Sequence, residues 1–133
     1  MSAGRGTNGI NNTSSARAGQ RRDILTLGMG SISVACYKPK AGCEDALLQL
    51  VRNHLPPLRA EGLVTDRASI IMRAGDGTII EVFEWKSQSA IDEAHTNPEV
   101  LKMWGKYAEV CDYIPVGQVE EIGTLFSGFK PFI

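Results

Sequence analysis

Residues 64–85 read VTDRASIIMRAGDGTIIEVFEW, and this stretch decides the fold. Gly75-Asp76-Gly77 is a tight-turn sequence whose glycines allow positive φ. Val64–Ala74 and Thr78–Trp85 flank it, with the β-branched and aromatic residues that strands favour. A β-hairpin is expected. In its second arm Glu81, Phe83 and Trp85 share one face, and Val82 and Glu84 the other. One of the two acids must then face inward or line a subunit seam. An ion pair with Arg67 or Arg73 on the paired strand is its expected state, ahead of service as a general base.

Upstream, Ser31–Lys38 (SISVACYK) alternates Ile32, Val34 and Cys36 against Ser33, Ala35 and Tyr37, which is strand periodicity. Pro39-Lys-Ala-Gly42 ends it. Cys43–Leu55 switches to helical spacing, with Ala46, Leu47, Leu50, Val51, His54 and Leu55 on one stripe, and Pro56-Pro57 is expected to stop that helix. Downstream, Ser87 and Ser89 both suit an N-cap, and Ser89-x-x-Asp92 resembles a capping box. Asn97-Pro98-Glu99 opens a further helix, expected from Pro98 to about Tyr113, with Val100, Leu101, Trp104, Tyr107, Ala108 and Cys111 inward. Gly105 falls inside it, which a close neighbouring backbone would explain. Val116–Ile122 is expected to be the fourth strand, followed by an aromatic arm, Thr124–Ile133 (TLFSGFKPFI).

The order is β-α-β-β-α-β, a ferredoxin-like α+β arrangement with an antiparallel sheet and both helices on one face. The other face stays bare. With Tyr37, Phe83 and Trp85 expected there, the sheet would show a large apolar patch, and pairing of two copies through it predicts a homodimer.

The 133 residues make room for one domain, residues 29–133. The net charge of −1 divides into +3 over residues 1–28, from Arg5, Arg17, Arg21 and Arg22 against Asp23, and −4 over the rest. A body of that sign argues against nucleic-acid binding. No apolar run is long enough to span a bilayer, which argues against a membrane partner. Cys36, Cys43 and Cys111 are odd in number with no Cys-x-x-Cys pair, which fits free thiols in a reducing compartment and a cytoplasmic location. His54 and His95 stand at no zinc spacing, so no metal site is expected. Residues 1–22, rich in Gly, Ser, Asn and Arg, cannot bury enough surface to order themselves, so residues 1–28 are expected to be a disordered extension. A start at Met29 is the other form of that reading; an organelle transit peptide, an export signal at Arg21-Arg22, and a basic tail for an acidic partner are the weaker alternatives. The overlapping Asn-x-Ser/Thr matches at Asn11 and Asn12 carry no weight without a secretory signal.

Pro39-Lys-Ala-Gly42, His54-Leu-Pro-Pro-Leu-Arg-Ala-Glu-Gly62, Glu81-Val-Phe-Glu-Trp-Lys-Ser87, Ala94-His-Thr-Asn-Pro98 and Trp104 resemble the antibiotic biosynthesis monooxygenase (ABM) family. The resemblance covers about residues 31–120. It implies a dimeric α/β barrel and, among the family's varied activities, a cofactor-independent monooxygenase acting on a small aromatic or polyketide-like substrate in an apolar pocket. Members that degrade haem place an inward Trp and an iron-ligating His where this chain has Ala94 and Trp104, so the resemblance does not extend to haem degradation. A non-catalytic dimeric binding or stress-response module of the same fold is the alternative.

His95 matches the family's His-x-x-Ser/Asn-Pro segment and is the candidate catalytic proton shuttle; its structural alternative is a bond to a backbone carbonyl at the helix junction. Tyr37, Phe83, Trp85, Trp104 and Met72 are the candidate substrate-binding residues, each equally able to serve as core, and Met72 and Met103 are natural gap-fillers. Tyr107 is a further hydroxyl donor, which protein can satisfy as easily as a ligand. His54, on the inward stripe just before Leu-Pro-Pro, is expected to be buried and hydrogen-bonded at a helix end.

Overall fold

In the computed structural model, which describes residues 30–132, the chain opens on strand β1 (Ser31–Pro39). Helices α1 (Glu44–Arg52) and α2 (Leu55–Ala60) follow, then the hairpin of β2 (Ile70–Arg73) and β3 (Ile79–Trp85). Helices α3 (Gln88–Ala94) and α4 (Pro98–Gly105) lead to β4 (Cys111–Ile114) and the short β5 (Lys130–Pro131). The extension expected at residues 1–28, with the alternatives raised for it, lies outside the described residues.

The strands form one antiparallel sheet in the order β4-β1-β3-β2-β5. Its first four members are in the order compatible with a ferredoxin-like fold, and β5 extends the β2 edge. At the hairpin, Gly77 takes φ +96, and Asp76 Oδ1 accepts the Thr78 N–H at 2.9 Å. That bond holds the Asp76 carboxyl below its usual range.

Period-two alternation places Ala35 and Tyr37 of β1, Ile71 of β2, and Ile79, Glu81, Phe83 and Trp85 of β3 beneath the helices. Leu47 and Val51 of α1, Leu58 of α2 and Val100 of α4 close over them. Tyr37, Phe83 and Trp85 are therefore buried core, not the bare face expected for them. The open face carries Ile32, Val34 and Ile70 instead, 58%, 45% and 57% exposed. Farther along that face Val119 and Phe129 pack onto Cys36, Ala74 and Ile80. The arm is not wholly sheltered: Phe132 packs on the Tyr37 cluster, whereas Leu125 and Phe126 stay in water.

Three boundaries differ from expectation, and of the two candidate caps for α3 the structure uses the first. Pro56 and Pro57 do not stop a helix but lie in the first turn of α2, where no N–H is needed. Ser87, not Ser89, caps α3, accepting from the Ala90 N–H. Helix α4 ends at Gly105, whose Cβ would meet open space, so no close backbone explains that glycine. The fourth strand is Cys111–Ile114, paired with β1 at Tyr37 and Tyr113, while 116–122 winds into 3₁₀ turns after Pro115. An aromatic Tyr opposite an aromatic Tyr outweighs the helical stripe in which Cys111 had been counted.

All three cysteines are free. Burial raises the Cys36 thiol and pushes that of Cys111 up to about 11.

Candidate functional site

A cavity of about 430 Å³ lies between the sheet and the helices. Strand β1 contributes Ser33, Ala35 and Tyr37, and β3 contributes Phe83 and Trp85 from alternate positions on the same side. His54 comes from the junction of α1 and α2, His95 from the C-cap of α3, Trp104 from the last turn of α4, and Tyr107 and Tyr113 from the segment around β4. The walls are rings. Phe83 and Trp85 are 5.4 Å apart, Trp85 and Trp104 meet edge-on at 6.4 Å, and Tyr107 stacks on Tyr113 at 6.2 Å.

Behind this wall is a buried polar chain. Glu81 is fully buried and accepts the Tyr37 hydroxyl at 2.7 Å. His54 Nδ1 lies 3.0 Å from both Glu81 carboxyl oxygens, and His54 Nε2 lies 3.0 Å from the indole nitrogen of Trp104. An indole N–H only donates, so Nε2 accepts and the imidazole proton sits on Nδ1, pointing at Glu81. Glu81 thus receives bonds from two donors, which is how a carboxylate is held inside a protein. Among the described residues no Lys or Arg pairs with it: Arg67 bonds Glu84 on the other side of the sheet at 2.9 Å, and Arg73 covers the Phe132 ring. The cross-strand ion pair was expected for one of the two acids, and it belongs to Glu84, whose carboxyl the Arg67 and Thr65 bonds hold low. The inward acid is Glu81.

Most polar atoms near the cavity are already bonded. Trp85 donates to Ser33 Oγ at 3.0 Å, and the Tyr107 hydroxyl donates to the Leu50 carbonyl at 3.0 Å. Burial, with Glu81 nearby, raises the Tyr37 and Tyr107 hydroxyls far above the usual tyrosine range, so both remain donors. His95 donates Nδ1–H to the Ile91 carbonyl at 2.8 Å, which fixes the ring and leaves Nε2 an acceptor with no protein partner among the described residues. Its ring meets Trp104 edge-on at 5.4 Å.

The structure thus gathers His95, Tyr37, Phe83, Trp85 and Trp104 around one space. It does not bring Met72 there. Met72 follows Ile71 by one residue, so the pleat turns it to the opposite face, against the Cys36 and Ile80 cluster. Sequence reasoning missed the bond between His54 and Glu81. Its signal was an acid sharing a strand face with Phe83 and Trp85, which needs a buried polar partner from the layer above. Among the described residues no three His, Cys, Asp or Glu side chains gather to hold a metal ion, and no helix is long and apolar enough to cross a membrane. The chain matches no family model, no curated protein and no solved structure.

Proposed function

We propose that this chain is an ABM-like, cofactor-independent oxygenase that takes a small planar aromatic or polyketide-like molecule into the cavity. The observation that carries the reading is the aromatic slot of Phe83, Trp85 and Trp104 with the unspent His95 Nε2 at its side. An enolisable CH₂ group loses a proton to Nε2, and the carbanion gives electrons to O₂ and bonds to it. His95 returns the proton to the peroxide, and loss of water leaves a carbonyl: CH₂ and O₂ become C=O and H₂O. The protein's share is to orient the ring, to hold and return the proton, and to keep water away from the carbanion. The resemblance also implies a second copy on the open sheet face, completing a dimeric barrel, and the exposed Ile32, Val34 and Ile70 support that reading.

One observation favours the non-catalytic alternative: His95 is exposed, where water competes for its proton. Anthrone, a fused aromatic with an acidic CH₂, separates the two. Binding is followed by quenching of Trp85 and Trp104, and turnover by oxygen uptake. The oxygenase takes up O₂ in step with anthrone loss, and His95→Gln slows uptake by about 100-fold while binding persists. Binding without oxygen uptake above the buffer rate overturns the oxygenase and leaves the binding module.

A further inference from the structure

The hydrogen bonds of the polar chain play no part in that chemistry, and the chain's members differ in one respect. Glu81, Tyr37 and His54 are sealed, at 0%, 3% and 4% exposure or less, whereas Trp104 is half-buried. Trp104 also lies in the last turn of α4 and lines the cavity together with His54. Of the two, the indole is the more exposed. Among the described residues the indole N–H is the only group satisfying His54 Nε2. On the far side of the ring, Glu81 accepts Nδ1–H, which leaves Nε2 as the acceptor of the neutral imidazole.

We infer that His54 Nε2 is the recognition atom for an aromatic hydroxyl, with the Trp104 N–H as its stopper in the empty site. This rests on the cavity being a ligand site, as proposed above, but on no oxygen chemistry. It narrows the ligand class from planar aromatics to phenols and enols. A ligand O–H takes the place of the indole N–H on Nε2, and its ring rests against Phe83 and Trp85. Glu81 and Tyr37 are positioning residues: they hold the imidazole in the tautomer that accepts. A ring without the hydroxyl, or with its oxygen methylated, displaces the indole and leaves a buried acceptor bare, which costs affinity.

The test compares 1-naphthol with 1-methoxynaphthalene, by calorimetry, on the whole protein and on Trp104→Phe. That change keeps a ring in the wall and removes the N–H, so the stopper is lost without touching His54 or Glu81. The wild type is expected to bind the naphthol at least about tenfold more tightly than its ether, and Trp104→Phe to tighten naphthol alone by about tenfold. His54→Gln, with a shorter and differently placed acceptor, should erase the preference; if it does not fold, the Trp104→Phe comparison decides. Equal gains for both ligands, no gain for either, or binding of neither ligand would each overturn the inference. Because no O₂ is involved, the naphthol preference can hold while the oxygenase fails, and anthrone turnover can hold while the preference is absent.

Discussion

Tyr37 has its hydroxyl proton committed to Glu81 at 2.7 Å inside the core, and that commitment has a pH signature. Burial first, and the neighbouring carboxylate second, raise its pKa in the folded chain well above the unfolded value of about 10. A raised pKa means the bond's contribution is complete below that unfolded value. It erodes at higher pH, where the unfolded chain can ionise Tyr37 and the folded chain cannot. Tyr37→Phe removes the bond, leaves Glu81 with His54 as its single donor, and should cost about 1.5–3 kcal/mol at pH 7. Above about pH 10 the deficit should shrink, because the phenylalanine variant has no such proton to lose when it unfolds. Denaturant unfolding of both proteins at neutral and alkaline pH measures this. A deficit under 0.5 kcal/mol (about the scatter of a surface change), or one that widens with pH, would contradict the assignment.

Asn97 shows how one side chain can join elements that lie far apart in the sequence. Its carbonyl oxygen caps α4 by accepting the Glu99 and Val100 N–H groups, and its amide donates to Glu61 just beyond α2 at 2.8 Å. Asn97→Ala should cost about 1–2 kcal/mol, the upper part of the range for a lost cap, because the tie to Glu61 goes with it. Asn97→Ser, which can cap but cannot reach Glu61 with an amide, should fall between the two in thermal unfolding. An alanine variant as stable as the wild type would show that neither bond holds the helix. The cap was legible in advance because Asn-Pro-Glu is a local signal, as were the hairpin turn and the alternation along β1 and β3. What was not legible is non-local. Which face of the sheet the helices cover cannot be read from alternation alone, so Tyr37, Phe83 and Trp85 were assigned to the wrong side, and Met72 to the cavity. The end of α4 depends on Tyr113 finding Tyr37 across the sheet, a contact 76 positions away by sequence number. The partner of Glu81 likewise comes from a different layer, at His54. His95, Phe83, Trp85 and Trp104 could be named from local sequence, and the structure brings them to one cavity.

At the scale of the molecule, the two faces of the sheet have opposite needs. One is sealed by helices around Glu81 and His54; the other leaves Ile32, Val34 and Ile70 in water, beside the partly buried Val82. The arm could have hidden them, but its Phe129, with Val119 from the turns before it, sits at the far end of that face over Cys36 and Ile80, and its Phe132 packs on the Tyr37 cluster. An apolar strip of adjacent strands left bare in this way is a surface for a second sheet. In the proposed dimer Ile70 of each copy would be buried, so a charge there is expected to break the pair without disturbing a monomer in which that side chain is already 57% exposed. Native mass spectrometry should give twice the 14.4 kDa chain mass for the wild type and the single mass for Ile70→Lys. Because Ile70 is not among the residues lining the aromatic cavity, the monomeric variant should still bind 1-naphthol. If the wild type stays monomeric at high concentration, or Ile70→Lys remains a dimer, the open face is not the interface, and the barrel implied by the family resemblance falls with it.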